Sequence, residues 1–162
     1  MSYAIVYSSK TGNTALLART LGECLGKENC LYFGPPDPKA LAAERIYVGF
    51  WTDKGTCDAQ TSAFLSTLTG QEIFLFGTAG FGGDAAYFEK ILDMVRAELP
   101  DEVTVVGAYM CQGKMPDSVR RRYEQMEDSP RKQIMLDNFD RALAHPGKED
   151  LEALKRAASA RN

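Results

Sequence analysis

An α/β protein built on a parallel sheet is what this sequence predicts, and three observations predict it. Short apolar runs at about 3–8, 30–33, 45–50, 72–77 and 103–110 alternate with stretches of helical periodicity, the pattern of strands joined by crossover helices. Each run is β-branched or aromatic and nearly continuous, as in Ile46-Tyr47-Val48-Gly49-Phe50 and Ile73-Phe74-Leu75-Phe76. Such runs suit strands covered on both faces. The length, 162 residues, accommodates one domain with a core of its own, needing neither disulfide nor structural metal.

The elements follow in order. After the first strand, Leu17, Leu21, Cys24 and Leu25 recur at i, i+4, i+7 and i+8, one face of a helix. Phe64, Leu65 and Leu68 form a second stripe, and Phe88, Ile91, Leu92 and Val95 a third. Helix starts are expected at Asp37 before Pro38, at Asp58, at Asp84 after a glycine cluster, and at Asp117-Ser118 after Pro116, each offering a short side chain to free backbone N–H groups. Beyond the fifth strand the pattern is helical only: Val119, Tyr123 and Met126, a break at Ser129-Pro130, then Leu136, Phe139 and Leu143 before Pro146-Gly147. A last helix over 148–160 carries a thin stripe of Leu151, Leu154 and Ala158, which predicts weak packing or contact with a partner subunit. The chain 1–162 therefore reads as one domain with a C-terminal helical extension over about 131–162.

Composition excludes several classes. Hydrophobic content of 44% with 25% charged residues is that of a globular protein, neither disordered nor coiled-coil. No run approaches the roughly 20 apolar residues of a membrane span, and Met1 to Tyr7 has neither a basic flank nor a small-residue cleavage site, so a cytoplasmic protein is expected. Cys24, Cys30, Cys57 and Cys111 stand singly, and with one histidine they form neither a metal set nor a disulfide framework. Charge is uneven: residues 1–113 carry a net −5 and residues 114–162 a net +2, within a total of −3. Arg120-Arg121-Arg122 is surrounded by Asp117, Glu124, Glu127 and Asp128, which marks a solvated helix face and not a nucleic-acid patch.

In an open parallel sheet, ligands bind beyond the carboxyl ends of the strands. The loop after strand one, Ser8-Ser9-Lys10-Thr11-Gly12-Asn13-Thr14, runs directly into a helix. Its hydroxyls, side-chain amide and first helical N–H groups suit a phosphate. An ordinary polar turn capped by Asn13 or Thr14 accounts for the same composition. A nucleoside-triphosphate loop is excluded, because no Gly-Lys-Ser/Thr ending is present.

The order Ser9-x-Thr11-Gly12-Asn13-Thr14 between a first strand and a first helix resembles the FMN phosphate loop of flavodoxins. The resemblance covers residues 1 to about 110 and, more weakly, the C-terminal helices. It implies a flavodoxin-like three-layer sandwich whose five-stranded parallel sheet has the order 2-1-3-4-5, in the short-chain form. It implies FMN as cofactor, its phosphate at Ser9, Lys10, Thr11, Gly12, Asn13 and Thr14 and its ring against two further loops. The first is Phe50, Trp51, Thr52, Asp53, Lys54 and Gly55, with the only tryptophan at the family's aromatic position. The second is Thr78, Ala79, Gly80, Phe81 and Gly82, continuing through Gly83. This second loop lacks the family's usual tyrosine. Phe81 is its expected replacement, while Tyr87 is expected on the following helix. The Tyr109 to Met115 loop frames the same sheet edge, and Cys57, Cys111 and His145 read as bystanders.

For function, the resemblance implies an FMN electron carrier that takes single electrons from a reductase and passes them to an acceptor enzyme. Aromatic walls favour a low potential for the last electron, whereas Lys54 and Lys114 oppose this by attracting negative charge. Many flavodoxins are strongly acidic; the weak charge here implies a dedicated partner. The loops Gly49 to Gly55 and Cys111 to Lys114 are similar to those of small flavodoxin-like proteins of anaerobic bacteria, including the type that accompanies bilirubin reductase. The alternative is an FMN-dependent NAD(P)H oxidoreductase acting directly on a quinone or another small molecule. A flavin-free interaction module is a further reading. A phosphorylated receiver domain fails because strand one ends in Ser8-Ser9 and lacks metal-binding acids. Neither membrane nor nucleic acid is an expected partner, and the sequence sets no oligomeric state.

Overall fold

The computed structural model describes residues 1–82 and 84–160. In chain order it contains β1 (Tyr3–Tyr7), α1 (Asn13–Leu25), β2 (Cys30–Gly34), a 3-10 turn (Pro38–Ala42), β3 (Arg45–Asp53), β4 (Thr56–Cys57), α2 (Ala59–Leu65), β5 (Glu72–Ala79), α3 (Ala85–Arg96), β6 (Thr104–Gln112), α4 (Asp117–Glu124), α5 (Pro130–Ala142) and α6 (Lys148–Ser159). Five strands run parallel in the order β2-β1-β3-β5-β6, and β4 adds a two-residue antiparallel pairing at the end of β3. With β4 set aside, the order is the expected 2-1-3-4-5. It reverses between β1 and β3, so the loops leaving those strands diverge and open a crevice at the carboxyl edge.

Side chains alternate between two cores, because successive residues of a strand point to opposite faces. Val6, Ile46, Val48, Phe50, Ile73 and Leu75 face α2 and α3, meeting Phe64, Leu65, Ile91, Leu92 and Val95. Ile5, Tyr47, Phe74 and Phe76 face α1 and α6, meeting Leu17, Leu21, Leu154 and Ala158. Tyr47 stands edge-on to Tyr3 and tilted against Phe74, with ring centroids 5.9 and 5.3 Å apart. Register carries the site: Trp51 of β3 pairs with Thr78 of β5, which pairs with Cys111 of β6, so three strand ends lie side by side.

Several expectations need correction. The last helix is not weakly packed: Leu154 and Ala158 are fully buried against the α1 side of the sheet, and the Tyr109 hydroxyl donates to the Asp150 carbonyl at 2.8 Å. The helix packs on α1 and on β6. Asp37 caps a 3-10 turn and not an α-helix. Asp117 is the first residue of α4 and Pro116 its cap, which places the acid where the helix dipole favours it. Asp58 and Asp84 cap α2 and α3 as expected. Among the described residues, no helix is long and apolar enough to cross a membrane.

Candidate functional site

A cleft of about 490 Å³ opens at the carboxyl edge of the sheet, fed by the loops after β1, β3, β5 and β6. Its size lies within the range of sites for small molecules and cofactors, roughly 300–1,000 Å³. A larger groove, about 720 Å³, lies between α1 and the edge strand β2, where Leu31 and Phe33 are exposed. None of the loops that follow β1, β3, β5 or β6 reaches it.

The first wall begins at α1. Gly12 adopts φ +92°, a left-handed conformation that glycine adopts without penalty, and caps the helix without a side chain. Ser9 Oγ accepts from the N–H groups of Gly12 and Ala15 at 3.1 and 3.2 Å, folding the loop over the helix end. The N–H groups of Asn13 and Thr14, first in the helix, have no acceptor among the described residues. Asn13 is buried, and its amide donates to Thr11 Oγ1 at 3.2 Å and to the Lys114 carbonyl at 2.8 Å. The arrangement leaves open donors at a helix N-terminus, where the helix dipole favours negative charge.

Thr14 has a different task. Its hydroxyl is fully buried, donates to the Phe50 carbonyl and lies 3.1 Å from the Thr78 hydroxyl, so it knots the ends of β3 and β5 to α1. Thr52 adds a second knot, donating to the Thr78 carbonyl at 2.8 Å. Trp51 lines the cleft half-buried, with the Lys10 ammonium 5.0 Å from its ring centroid. Lys54 and Gly55 form the two-residue turn between β3 and β4, both with positive φ, +53° and +84°. This is the primed turn that matches strand twist, and it holds a lysine in a conformation lysine rarely adopts.

The second wall comes from the segment after β6. Gly113 N–H donates to the Ala79 carbonyl and Lys114 N–H to the His145 carbonyl, both at 2.9 Å. Met115 packs over Gly80, where a Cβ would come within 2.6 Å of its sulfur. Val119 and Arg122 of α4 complete the wall. Behind it, Gln112 and Asn138 are buried, and both amides donate to the Gly80 carbonyl, at 3.0 and 3.1 Å, while Gln112 also donates to Asn138 Oδ1 at 3.0 Å.

Of the residues singled out from sequence, Lys10, Thr11, Asn13, Trp51, Thr52, Lys54, Gly55, Thr78, Ala79, Gly80 and Phe81 border this cleft. Ser9 and Thr14 shape it from behind, and Gly12 borders an adjoining hollow of about 330 Å³ with Arg19 and His145. Phe50 is turned away: its ring is fully buried against α2 and α3, and only its carbonyl serves the site. Asp53 pairs through its backbone with Thr56 and does not line the cleft, and Gly82 lies against Phe88. Gly83 lies outside the described residues. Tyr87 is on α3 as expected, yet it borders the cleft together with Phe81, which is 38% exposed. Pro116, Val119 and Arg122 were not among the expected site residues, because only the folding of α4 back over the sheet edge brings them there.

The two cysteines nearest the site, Cys57 and Cys111, are buried. Cys57 bonds to Glu98 Oε2 at 3.3 Å, and burial together with that carboxylate pushes it up to about 12. Cys111 is likewise pushed up to about 12, by burial and then by Asp150. A nucleophilic thiol needs the opposite shift. His145 Nδ1 lies 2.6 Å from Asp150 Oδ2, which also accepts from Gly147 N–H at 2.7 Å, an arrangement that starts α6.

A doubly wound sheet with an open helix end, an aromatic strand end and a cleft across the switch point defines the flavodoxin class of architecture. The family model of the flavodoxin domain matches residues 4–159, and the chain belongs to that family. It is 43% identical to the flavodoxin-like domain-containing protein BilS of Clostridium symbiosum (strain WAL-14163), over 96% of this chain and 93% of that protein. Among solved structures, a short-chain flavodoxin associated with a non-canonical PDU bacterial microcompartment superposes with TM-score 0.62 at 17% identity, covering 99% of this chain and 97% of that one. A flavoprotein in complex with FMN from Lactobacillus acidophilus NCFM superposes with TM-score 0.52 at 13% identity, covering 76% of this chain and 99% of that one.

Proposed function

We propose that the chain binds FMN and carries single electrons from a reductase to an acceptor enzyme. The observation behind this reading is the convergence of an uncapped helix N-terminus and a strand-end tryptophan on one cleft of cofactor size. The donor set fits the group: open N–H groups at Asn13 and Thr14, with the Thr11 hydroxyl beside them, suit a phosphate dianion. When bound, FMN supplies the one-electron and two-electron chemistry of its ring.

The chain's own residues bind, orient and shield. The Thr11 hydroxyl and the Asn13 and Thr14 N–H groups would hold the phosphate, the Asn13 amide positions Thr11, and the Thr14 and Thr52 knots keep the ends of β3 and β5 at fixed separation. Trp51 offers a flat face for stacking, and Phe81 and Tyr87 line the opening that the family's tyrosine normally closes. A main-chain carbonyl of the Asp53-Lys54-Gly55 turn would be available to accept a hydrogen bond from the ring. Met115 and Val119 exclude water from the second wall.

The test is to saturate the protein with FMN and follow absorbance during stepwise anaerobic reduction, with and without NAD(P)H as sole donor. A yellow protein reduced through a one-electron stage and indifferent to NAD(P)H supports the carrier. Steady NAD(P)H oxidation with a quinone makes it an oxidoreductase, and a protein that stays colourless overturns the flavin reading.

A further inference from the structure

We propose that the mouth of this cleft is a docking surface for an acidic face of a redox partner protein, formed by Lys10, Lys54, Lys114 and Arg122. The proposal rests on the flavin reading above and names the chemistry of the partner. All four cations border the cleft, all four are exposed, and they come from four segments: the loop after β1, the β3 to β4 turn, the loop after β6, and α4. No carboxylate is among the residues that line it. A chain of net charge −3 therefore turns a positive face outward at the one edge where a bound ring would be reached.

Four cations elsewhere on the surface are held by carboxylates, and what sets the rim cations apart from the remaining ones is that they meet around one cleft. Arg96 pairs with Glu89 and Asp93, Arg120 with Glu124 and Asp140, Lys132 with Asp128, and Lys155 with Glu152. Among the described residues, none of the four rim cations forms an ion pair, and Lys10 contacts only the Trp51 ring. Asp53 and Asp117 adjoin the rim in the chain but do not line the cleft. Asp84 is committed to the Ala86 N–H. A phosphate carries about two negative charges at neutral pH, which offsets half of the four positive ones. The remainder steers an approaching molecule, and a protein with an acidic patch around its own redox centre is the complementary partner.

The experiment uses the FMN-loaded chain, reduced anaerobically with dithionite and mixed with a ferric haem protein as one-electron acceptor. One electron leaves the flavin and reduces one haem iron. An acidic b-type cytochrome and a basic c-type cytochrome are compared between about 0.01 and 0.3 M salt, a range over which the screening length falls from about 30 Å to below 8 Å. The expected result is that the acidic acceptor is reduced faster at low salt and loses about tenfold in rate across the range. The basic acceptor gains or stays level. The Lys54→Gln, Arg122→Gln pair, assayed at saturating FMN, flattens the salt dependence with the acidic acceptor, while Lys155→Gln on the far helix leaves it in place. A basic acceptor that reacts faster and slows with salt overturns the proposal, as does a rim pair that leaves the salt dependence unchanged. Failure of the flavin reading appears earlier and separately, as a chain that takes up no FMN before any acceptor is added.

Discussion

In the wall formed by the 9–14 loop and the ends of β3 and β5, polar side chains bind one another: Ser9 to two N–H groups, Asn13 to Thr11, Thr14 to Thr78, Thr52 to a β5 carbonyl. In the wall formed by Gly113 to Arg122, the main chain is pinned at Gly113 and Lys114, but the side chains facing the cleft are apolar or carry unpaired charge among the described residues. The first wall is organised before a ligand arrives, so it sets what is recognised. The second is held by packing and long flexible side chains, so it sets how tightly and with what charge the ligand is covered.

The largest expected effect lies in the first wall. Replacing Thr11 and Asn13 together by Ala removes the hydroxyl that would bond the phosphate, a charge-assisted bond worth roughly 1.5–3 kcal/mol, and the amide that holds that hydroxyl in place. FMN affinity measured by flavin fluorescence falls about 100-fold, whereas riboflavin, which lacks the phosphate, binds as before; equal losses for both ligands would break the assignment. Asn138→Leu, at the joint behind both walls, leaves Gln112 short of an acceptor and the Gly80 carbonyl short of a donor. A urea titration should show about 1–3 kcal/mol of lost stability. Trp51→Ala removes a stacking face and lowers the affinity for FMN and riboflavin alike, by about tenfold; a loss confined to FMN would move Trp51 to the phosphate end.

Smaller effects sharpen the contrast. The Cys57 thiol is raised from an ordinary value of 9.0 to about 12, so the folded state holds its proton where the unfolded chain releases it. Its contribution to stability is complete below pH 9 and is lost as pH climbs towards 12. Urea midpoints at pH 8 and pH 10.5 should therefore differ less in Cys57→Ala than in the parent chain. At pH 8 an alkylating reagent should label exposed Cys24 and spare Cys57 and Cys111. Met115→Leu, in the adaptable wall, keeps volume and should cost less than about 1.5 kcal/mol, with FMN affinity within a few-fold of the parent.

The same division explains what the sequence made legible. Elements whose partners lie a few residues away were readable: the polar loop running from β1 into α1, the Asp58 and Asp84 caps, and the buried strands with their continuous apolar runs. The Lys54-Gly55 hairpin escaped notice because its signal is one glycine and a lysine held at positive φ. The second wall was partly visible as a loop framing the edge, but Val119 and Arg122 carry no local mark of a site. Their place depends on α4 turning back towards the cleft. The burial of α6 was misjudged for a related reason, since three small or aliphatic residues look thin until α1 and β6 are set against them. Phe50 shows the reverse error: its loop position suggested ligand contact, but side-chain alternation in a β3 longer than expected turns it to the core.

Two buried amides, from β6 and α5, converge on the carbonyl of Gly80. That single acceptor ties the loop after β5 to α5, although Gly80 and Asn138 are 58 residues apart in the chain. Hydrogen exchange should find them opening together: the Gln112 and Gly113 amides would share one protection free energy with the core of α5, and FMN would raise both by the same increment. A chain cut before Pro130 would then lose its ring-side loop as well as its last two helices. Residues that never touch the ligand thus decide whether the ligand finds a formed site.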